Sequence, residues 1–280
     1  MTIRESKYRS LVVVTLIALL SWAQASYAIV LDWSSYNPTW SVSGGTYTTA
    51  INFDASNPGN DVTITISGDT SGFLTSSPYN SPGVNSVITG GQGTGEESLL
   101  LAFNWASRND NVTVTFHFNY ADGIQNLEFA LFDIDRLDNN TSDSGFRDYI
   151  SNISGSYSGG SDILPSITVE DTAYTTVQNA GKSTQGIRGE DGASDNSANA
   201  NAYISFGTNV IDEISFTYGN WTGSGGKAPS NPGQQGIGVY DFTFDKKPKV
   251  PEVGITVTAV TLCLGASLRT YLRRKTQSFS

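Results

Sequence analysis

Between residues 29 and 245 the apolar positions recur with a period of two, and no stretch carries the 3.6-residue stripe of an amphipathic helix. In Val112–Tyr120 one face reads Val112, Val114, Phe116, Phe118 and Tyr120, and the other Thr113, Thr115, His117 and Asn119. That alternation predicts a half-buried antiparallel strand with its histidine on the wet face. Asp61–Ser67 sets Val62, Ile64 and Ile66 against threonines, and Ala202–Phe206 and Glu213–Tyr218 alternate more loosely. Leu127–Ile134 is apolar on both faces, which predicts a strand inside a sheet, and Gly236–Phe244 supplies a last strand. Asn57–Asn60, Thr70–Thr94, Asn179–Asn201 and Gly223–Gly238 are rich in Gly, Ser, Pro, Asn or Gln and read as connecting loops. No fixed-period repeat suggests a solenoid or propeller. Strands without helices between them predict an all-β fold, an antiparallel β-sandwich or jelly roll, over residues 29–245.

The two ends break this pattern. Arg4, Lys7 and Arg9 precede the apolar run Leu11–Leu20, and small residues follow in Ala23-Gln24-Ala25 and Ser26-Tyr27-Ala28. Charged, apolar and small in that order describe a secretory signal peptide, so a signal helix is expected in residues 1–28, with cleavage after Ala25 or Ala28. At the other end Gly254–Leu268 runs uncharged for 15 residues. As a helix that is about 22 Å, and extension through Tyr271 and Leu272 with Arg269 snorkelling brings it near the ~30 Å of a bilayer core. One transmembrane-like helix is therefore expected in residues 246–280, with the body outside the cytoplasm.

Val250-Pro251-Glu252, the single apolar segment and the terminal Arg273-Arg274-Lys275 together resemble the PEP-CTERM sorting signal of bacteria that make extracellular polysaccharide. The resemblance covers about the last thirty residues. It implies an exosortase, a membrane enzyme of transpeptidase type, as the partner that recognises the family's Pro-Glu-Pro core, where this chain has Val253 in place of the second proline, and processes the tail. It also implies a location at the cell envelope or beyond it, anchored in the membrane at least for a time.

Charge sharpens the picture of the body. Residues 29–245 hold 6 of the 16 basic residues and 24 of the 26 acidic ones, a formal charge of −18. A body this acidic repels a phosphate backbone, which excludes nucleic acid and makes hard cations plausible partners. One histidine, His117, and one cysteine, Cys263, leave no material for a disulfide framework, a Cys/His zinc cluster or thiol redox chemistry. A serine nucleophile lacks its Gly-x-Ser-x-Gly elbow, and His117 sits mid-strand among threonines, so a non-catalytic protein is expected. A glycosidase needs only two carboxylates at suitable separation, and 24 acids leave that alternative open.

The densest chemistry runs through Asp133-Ile134-Asp135-Arg136-Leu137-Asp138-Asn139-Asn140, with Asp143 and Asp148 behind it. On a continuing strand Asp133 and Asp135 point to one side, about 6.6–6.8 Å apart at Cα. Such a pair can close on one Ca²⁺, with further oxygens from Asp138, Asn140 and Asp148. Two other readings compete: ion pairing with Arg136 or Arg147, and a solvated acidic turn held by Asx hydrogen bonds. The loop lacks the Gly and terminal Glu of an EF-hand.

The order Phe129–Asp135, Arg147–Ile150 and Gly236–Phe244 also resembles bacterial extracellular jelly-roll modules, and that resemblance implies Asp241 as a further ligand near the first cluster. Among the body tryptophans Trp33, Trp40, Trp105 and Trp221, the last stands beside the Gly-rich loop from Gly223 and is the candidate for stacking on a sugar ring. The expected function is that of an exported surface or matrix component, Ca²⁺-stabilised and in contact with extracellular polysaccharide. The alternatives are a carboxylate-dependent polysaccharide hydrolase or lyase and a protein-binding adhesin.

Overall fold

Alternating side chains bury one face of a strand, and here two faces of that kind meet. A computed structural model describes residues 28–138, 145–224 and 227–247. The chain divides into two units, Met1–Lys247 and Pro248–Ser280, and the second lies outside the described residues. Among the described residues helix is confined to two single 3₁₀ turns, Trp33–Ser35 and Thr70–Gly72. Among the described residues every strand pairing is antiparallel.

The eight-stranded sheet is built around Ile124–Phe132. That strand pairs with Ala202–Ser205 on one side and with Gly233–Val239 and Phe242–Lys246 on the other. Ser98–Trp105 pairs with Gly233–Val239, and Ile29–Leu31 with Phe242–Lys246. The nine-stranded sheet has Gly145–Ser156, Glu213–Asn220, Asn111–Phe118, Val62–Gly68 and Thr46–Ile51 as successive neighbours. The inner faces of the two sheets meet in one aromatic core. Phe242 of the first sheet lies 4.8 Å from Phe116 of the second, and Trp105 lies 6.2 Å from Tyr218, measured between ring centroids. The molecule is thus a β-sandwich, as the alternation predicts.

Asn111–Phe118 carries Val112, Val114, Phe116 and Phe118 inward and leaves His117 exposed. Its outer neighbours are hydroxyl-bearing: Thr48, Thr65, Thr115, Ser215 and Ser154 stand in one row across five strands. Thr is at home on a half-exposed pleat, where its methyl packs and its hydroxyl stays wet.

Several expectations need correction, among them the loops Thr70–Thr94 and Asn179–Asn201, which contain the short strands Gly83–Asn85 and Gly186–Gly189. Gly236–Phe244 is not one strand, because the chain leaves the ladder at Tyr240-Asp241. Tyr240 N–H donates to the Ala130 carbonyl there, and Asp241 turns to accept the Trp33 N–H. Gly223–Gly238 is also not wholly loop, since Gly233–Val239 pairs along Leu99–Trp105. Its Gly and Gln residues hid the strand because the Gly236 site faces Ala102, where a Cβ would stand 3.1 Å from its neighbour's. The Thr70–Thr94 segment covers the outer face of the eight-stranded sheet, burying Ile88 against Leu100, Ala102, Ala130 and Phe132. That second small core explains why Leu99–Phe103 and Phe129–Phe132 are apolar on both faces.

Candidate cation site

Ile124–Phe132 belongs to one sheet and Gly145–Ser156 to the other, so the chain must cross between layers just after Phe132. The strand expected to run on through Ile134 stops at Phe132, and Asp133 takes a left-handed backbone with φ 62°. An aspartate tolerates that conformation better than a branched residue, and such positions recur at functional sites. The turn sends Asp133 and Asp135 into the protein. Asp133 is 8% exposed, Asp135 5% and Asp148 0%.

Asp148 stands two residues before the core residue Ile150 on the inward face of its strand. Its Oδ1 accepts the Tyr218 hydroxyl at 2.8 Å, and its Oδ2 accepts the Asp135 N–H at 3.2 Å. The Asp148 N–H returns a bond to the Asp135 carbonyl at 3.0 Å. Asp135 Oδ2 accepts the Ala193 N–H at 2.8 Å. Asp133 Oδ1 and Asp135 Oδ1 are buried and accept no hydrogen bond. Gln235, buried on the inward face of the opposite sheet, sets its side-chain amide against the Tyr218 hydroxyl.

The electrostatics follow from this geometry. Burial pushes the Asp133 carboxyl well above its ordinary range, and the Asp135 and Asp195 carboxylates push further. Burial likewise raises Asp135, to about 7; the Ala193 N–H opposes the rise, and Asp195 and Asp191 add to it. Asp148 is raised by burial and then by Asp135, against the pull of the Tyr218 hydroxyl. Three carboxyls deprived of water and set against one another are held toward their protonated forms.

Arg147, one of the competing remedies, is engaged by other groups. Arg147 Nε donates to the Gly189 carbonyl at 2.7 Å, and its guanidinium pairs with Glu190, which also takes Arg188. The close passage of Gly189 is obligatory, since a Cβ there would stand 2.0 Å from the Asp135 carbonyl oxygen.

The other sequence candidates fall in different places. Asp138 ends the short strand Arg136–Asp138, paired to Gly145–Arg147; its side chain and all of Asn140 lie outside the described residues. Asp241 does not join the cluster. Its Oδ1 accepts the Trp33 N–H at 2.9 Å, and burial, with Asp32 and Glu96 nearby, raises it to about 6. Trp221 is half-buried, with the Arg188 guanidinium 5.0 Å from its ring centroid, the Tyr149 ring edge-on at 4.9 Å and its Nε1–H on the Ser224 carbonyl. The signal segment and the sorting residues Val250, Pro251, Glu252, Arg273, Arg274 and Lys275 lie outside the described residues.

Tyr218 and Gln235 were missed by reasoning along the sequence. Both sit at apolar-phase positions of their strands, and a polar head at an inward position is the one signal that could have marked them. Among the described residues no three Asp, Glu, His or Cys side chains are arranged to grip an ion as they stand, and no helix is long and apolar enough to cross a membrane. Comparison with protein-family models, with curated proteins and with solved structures gave no match.

Proposed function

We propose that this chain is an exported, non-catalytic component of the cell surface or extracellular matrix, whose jelly-roll-like β-sandwich is locked by Ca²⁺ at the Asp133–Asp135 crossover. One observation carries the reading: two carboxylate oxygens, Asp133 Oδ1 and Asp135 Oδ1, are buried without a partner in a nest of further carboxylates. An unpaired buried charge is costly, and in extracellular fluid the abundant hard cation is the cheapest way to remove that cost. Among the described residues no three acids grip an ion as they stand, so Asp133 and Asp135 must turn their free oxygens onto one ion, with the buried Asp148 carboxyl hydrogen-bonded to Asp135 behind them. Asp241 is left out of the ligand set.

Delivery rests on the signal-like start and the PEP-CTERM-like tail, with an exosortase-type enzyme as the processing partner and the tail helix as the membrane anchor. Contact with extracellular polysaccharide is supported by the hydroxyl rows on the wet face of the nine-stranded sheet and by the Arg188–Trp221–Tyr149 cluster. Hydroxyls offer donors and acceptors to a polyol without the repulsion that a carboxylate face would add.

Thermal unfolding in Ca²⁺ and in EDTA tests the central part. Chelation is expected to lower the melting temperature of the wild type and to leave an Asp133→Ala/Asp135→Ala variant unmoved. A wild-type melting temperature indifferent to EDTA sinks the proposal. Binding to insoluble polysaccharides without release of reducing ends tests the rest; release of reducing ends would favour a hydrolase.

A further inference from the structure

In a body of formal charge −18, two neighbouring rows on the outer face of the nine-stranded sheet carry no charge at all. Ser41, Thr48, Thr65, Thr115, Ser215 and Ser154 stand opposite one another on six successive strands. One step along those strands Ser67, Thr113, Thr217 and Ser151 form a second row. All ten side chains are hydroxyls, and none is buried. In the second row Thr113 and Thr217 approach each other at 3.5 Å, and Asn152 Nδ2, set out by the bulge, donates to Thr217 Oγ1 at 3.4 Å. In the six-membered row no hydroxyl is bonded to another described residue. Ser and Thr hydroxyls commonly turn back onto nearby backbone, so this row keeps its donors and acceptors for the solvent side. Charge returns only beyond the two rows. On one side His117 and Glu213 face each other at 3.8 Å, and on the other Arg188 stands beside Tyr149. The Tyr149 ring leans over Gly186, the strand neighbour of Ser151, where a Cβ would stand 2.7 Å from the Tyr149 Oη. An aromatic ring thereby closes the end of the second row.

We propose that these two rows are a lane for a single chain of uncharged polysaccharide, lying across the strands with Tyr149 at one end. The proposal rests on the polysaccharide contact proposed above and adds to it the class of polymer and its path. Charge decides the class. An acidic polymer would approach a body of −18 against its field, whereas a neutral polyol meets hydroxyls of its own kind on the one strip where no carboxylate is desolvated. The threonine methyls between those hydroxyls suit the C–H faces of sugar rings. Dimensions decide the path. Six strands at ~4.8 Å spacing give a row about 24 Å long, room for several sugar rings, and rows roughly 7 Å apart leave the width of one chain. Twist excludes a flat lattice as the occupant. Neighbouring strands turn by about 20–25°, which accumulates to roughly 100° over six strands, so a rigid crystalline surface would touch only part of a row. A lone flexible chain can follow the turn.

Titration calorimetry on the full-length protein tests this, with soluble mixed-linkage β-glucan and dextran as uncharged probes, hyaluronate as the acidic probe and crystalline cellulose in a parallel pull-down. The wild type is expected to bind at least one uncharged soluble polymer and not hyaluronate. Thr65→Val/Thr115→Val removes two central hydroxyls and keeps the β-branched shape that a strand favours. It is expected to keep the wild-type melting temperature and to lose binding at least tenfold. Thr65→Ser/Thr115→Ser, which restores the hydroxyls, is expected to bind within about threefold of wild type, so that a loss in the valine variant reads the hydroxyls and not the fold. Thr168→Val, at an exposed threonine of the other sheet, is expected to change nothing. If the wild type binds none of the polymers, the polysaccharide contact itself is refuted. If it prefers hyaluronate, or if the valine variant binds as well as wild type, the lane is refuted while the contact stands elsewhere on the surface. Preference for crystalline cellulose over the soluble polymers overturns the single-chain path. A wild type that sediments as a dimer, with the valine variant a monomer, would assign the face to a second copy of this chain instead.

Discussion

Asp135→Asn should stabilise the protein without calcium and destabilise it, relative to wild type, with calcium. The substitution is nearly isosteric. The asparagine carbonyl can keep the 2.8 Å bond from Ala193 N–H, while its amide presents donors where Asp135 Oδ1 now has none. What it removes is a carboxylate that burial and its acidic neighbours have pushed to about 7. At ~1.4 kcal/mol per unit, ionising that group at neutral pH weakens the fold by roughly 2–4 kcal/mol. Part of this returns when neighbouring carboxyls relax, so the variant in EDTA at pH 7.5 is expected to gain about 1–3 kcal/mol. For a domain of this size that is an increase of roughly 2–10 °C in melting temperature. In Ca²⁺ at a hundredfold excess over its dissociation constant the wild type gains about 2.7 kcal/mol, which a variant lacking a ligand forfeits. The order of stability therefore inverts between the two buffers. Calorimetric melting of both proteins in both buffers reads it directly. A variant less stable than wild type by the same amount in EDTA and in Ca²⁺ would show that Asp135 is a structural hydrogen-bond acceptor and nothing more.

Three further outcomes follow from the same geometry. Asp135 has a folded pKa raised above its unfolded value, so its contribution to stability is present below about pH 4 and lost as pH rises through about 7. Denaturant melts in EDTA should accordingly weaken from pH 4 to pH 7, and added Ca²⁺ should reverse that trend at the upper end; a flat EDTA profile would contradict the assignment. Tyr218→Phe deletes the hydroxyl donor to fully buried Asp148 and should cost about 1–3 kcal/mol in urea unfolding with an unchanged m-value. Gly189→Ala places a Cβ against the Asp135 carbonyl and should cost about 3 kcal/mol or more, seen as a lower midpoint or as insoluble protein on expression.

The sandwich was legible wherever one strand face is dry and the other wet. Val112–Phe118 and Val62–Ile66 announce themselves because their outer partners are mostly threonines, and the Phe129–Phe132 part of Leu127–Ile134 because both its faces are covered. Gly145–Ser156 did not, since it brings only two isoleucines, Ile150 and Ile153, into the core, Gly155 takes an inward place against Phe206 and Ile211, and the register shift between Ser151 and Ser154 breaks the alternation. The acidic pair was legible as composition but not as geometry. Strand alternation places Asp133 and Asp135 side by side, whereas they come together through a left-handed turn that no periodicity encodes. Tyr218 and Gln235 come from strands some 70 to 100 residues further along, and only sheet packing brings them to the site. Asp241 misled for the opposite reason: a strand neighbour of the Asp133 strand in sequence logic, it lies where the chain bends toward Trp33.

The most direct measurement is calcium content. Purified full-length protein equilibrated with Ca²⁺ at pH 7.5, then freed of unbound ion and assayed for metal, should retain one calcium per chain, and the Asp133→Asn/Asp135→Asn variant should retain none. Wild type that retains no calcium, or a variant that retains as much as wild type, would contradict the account.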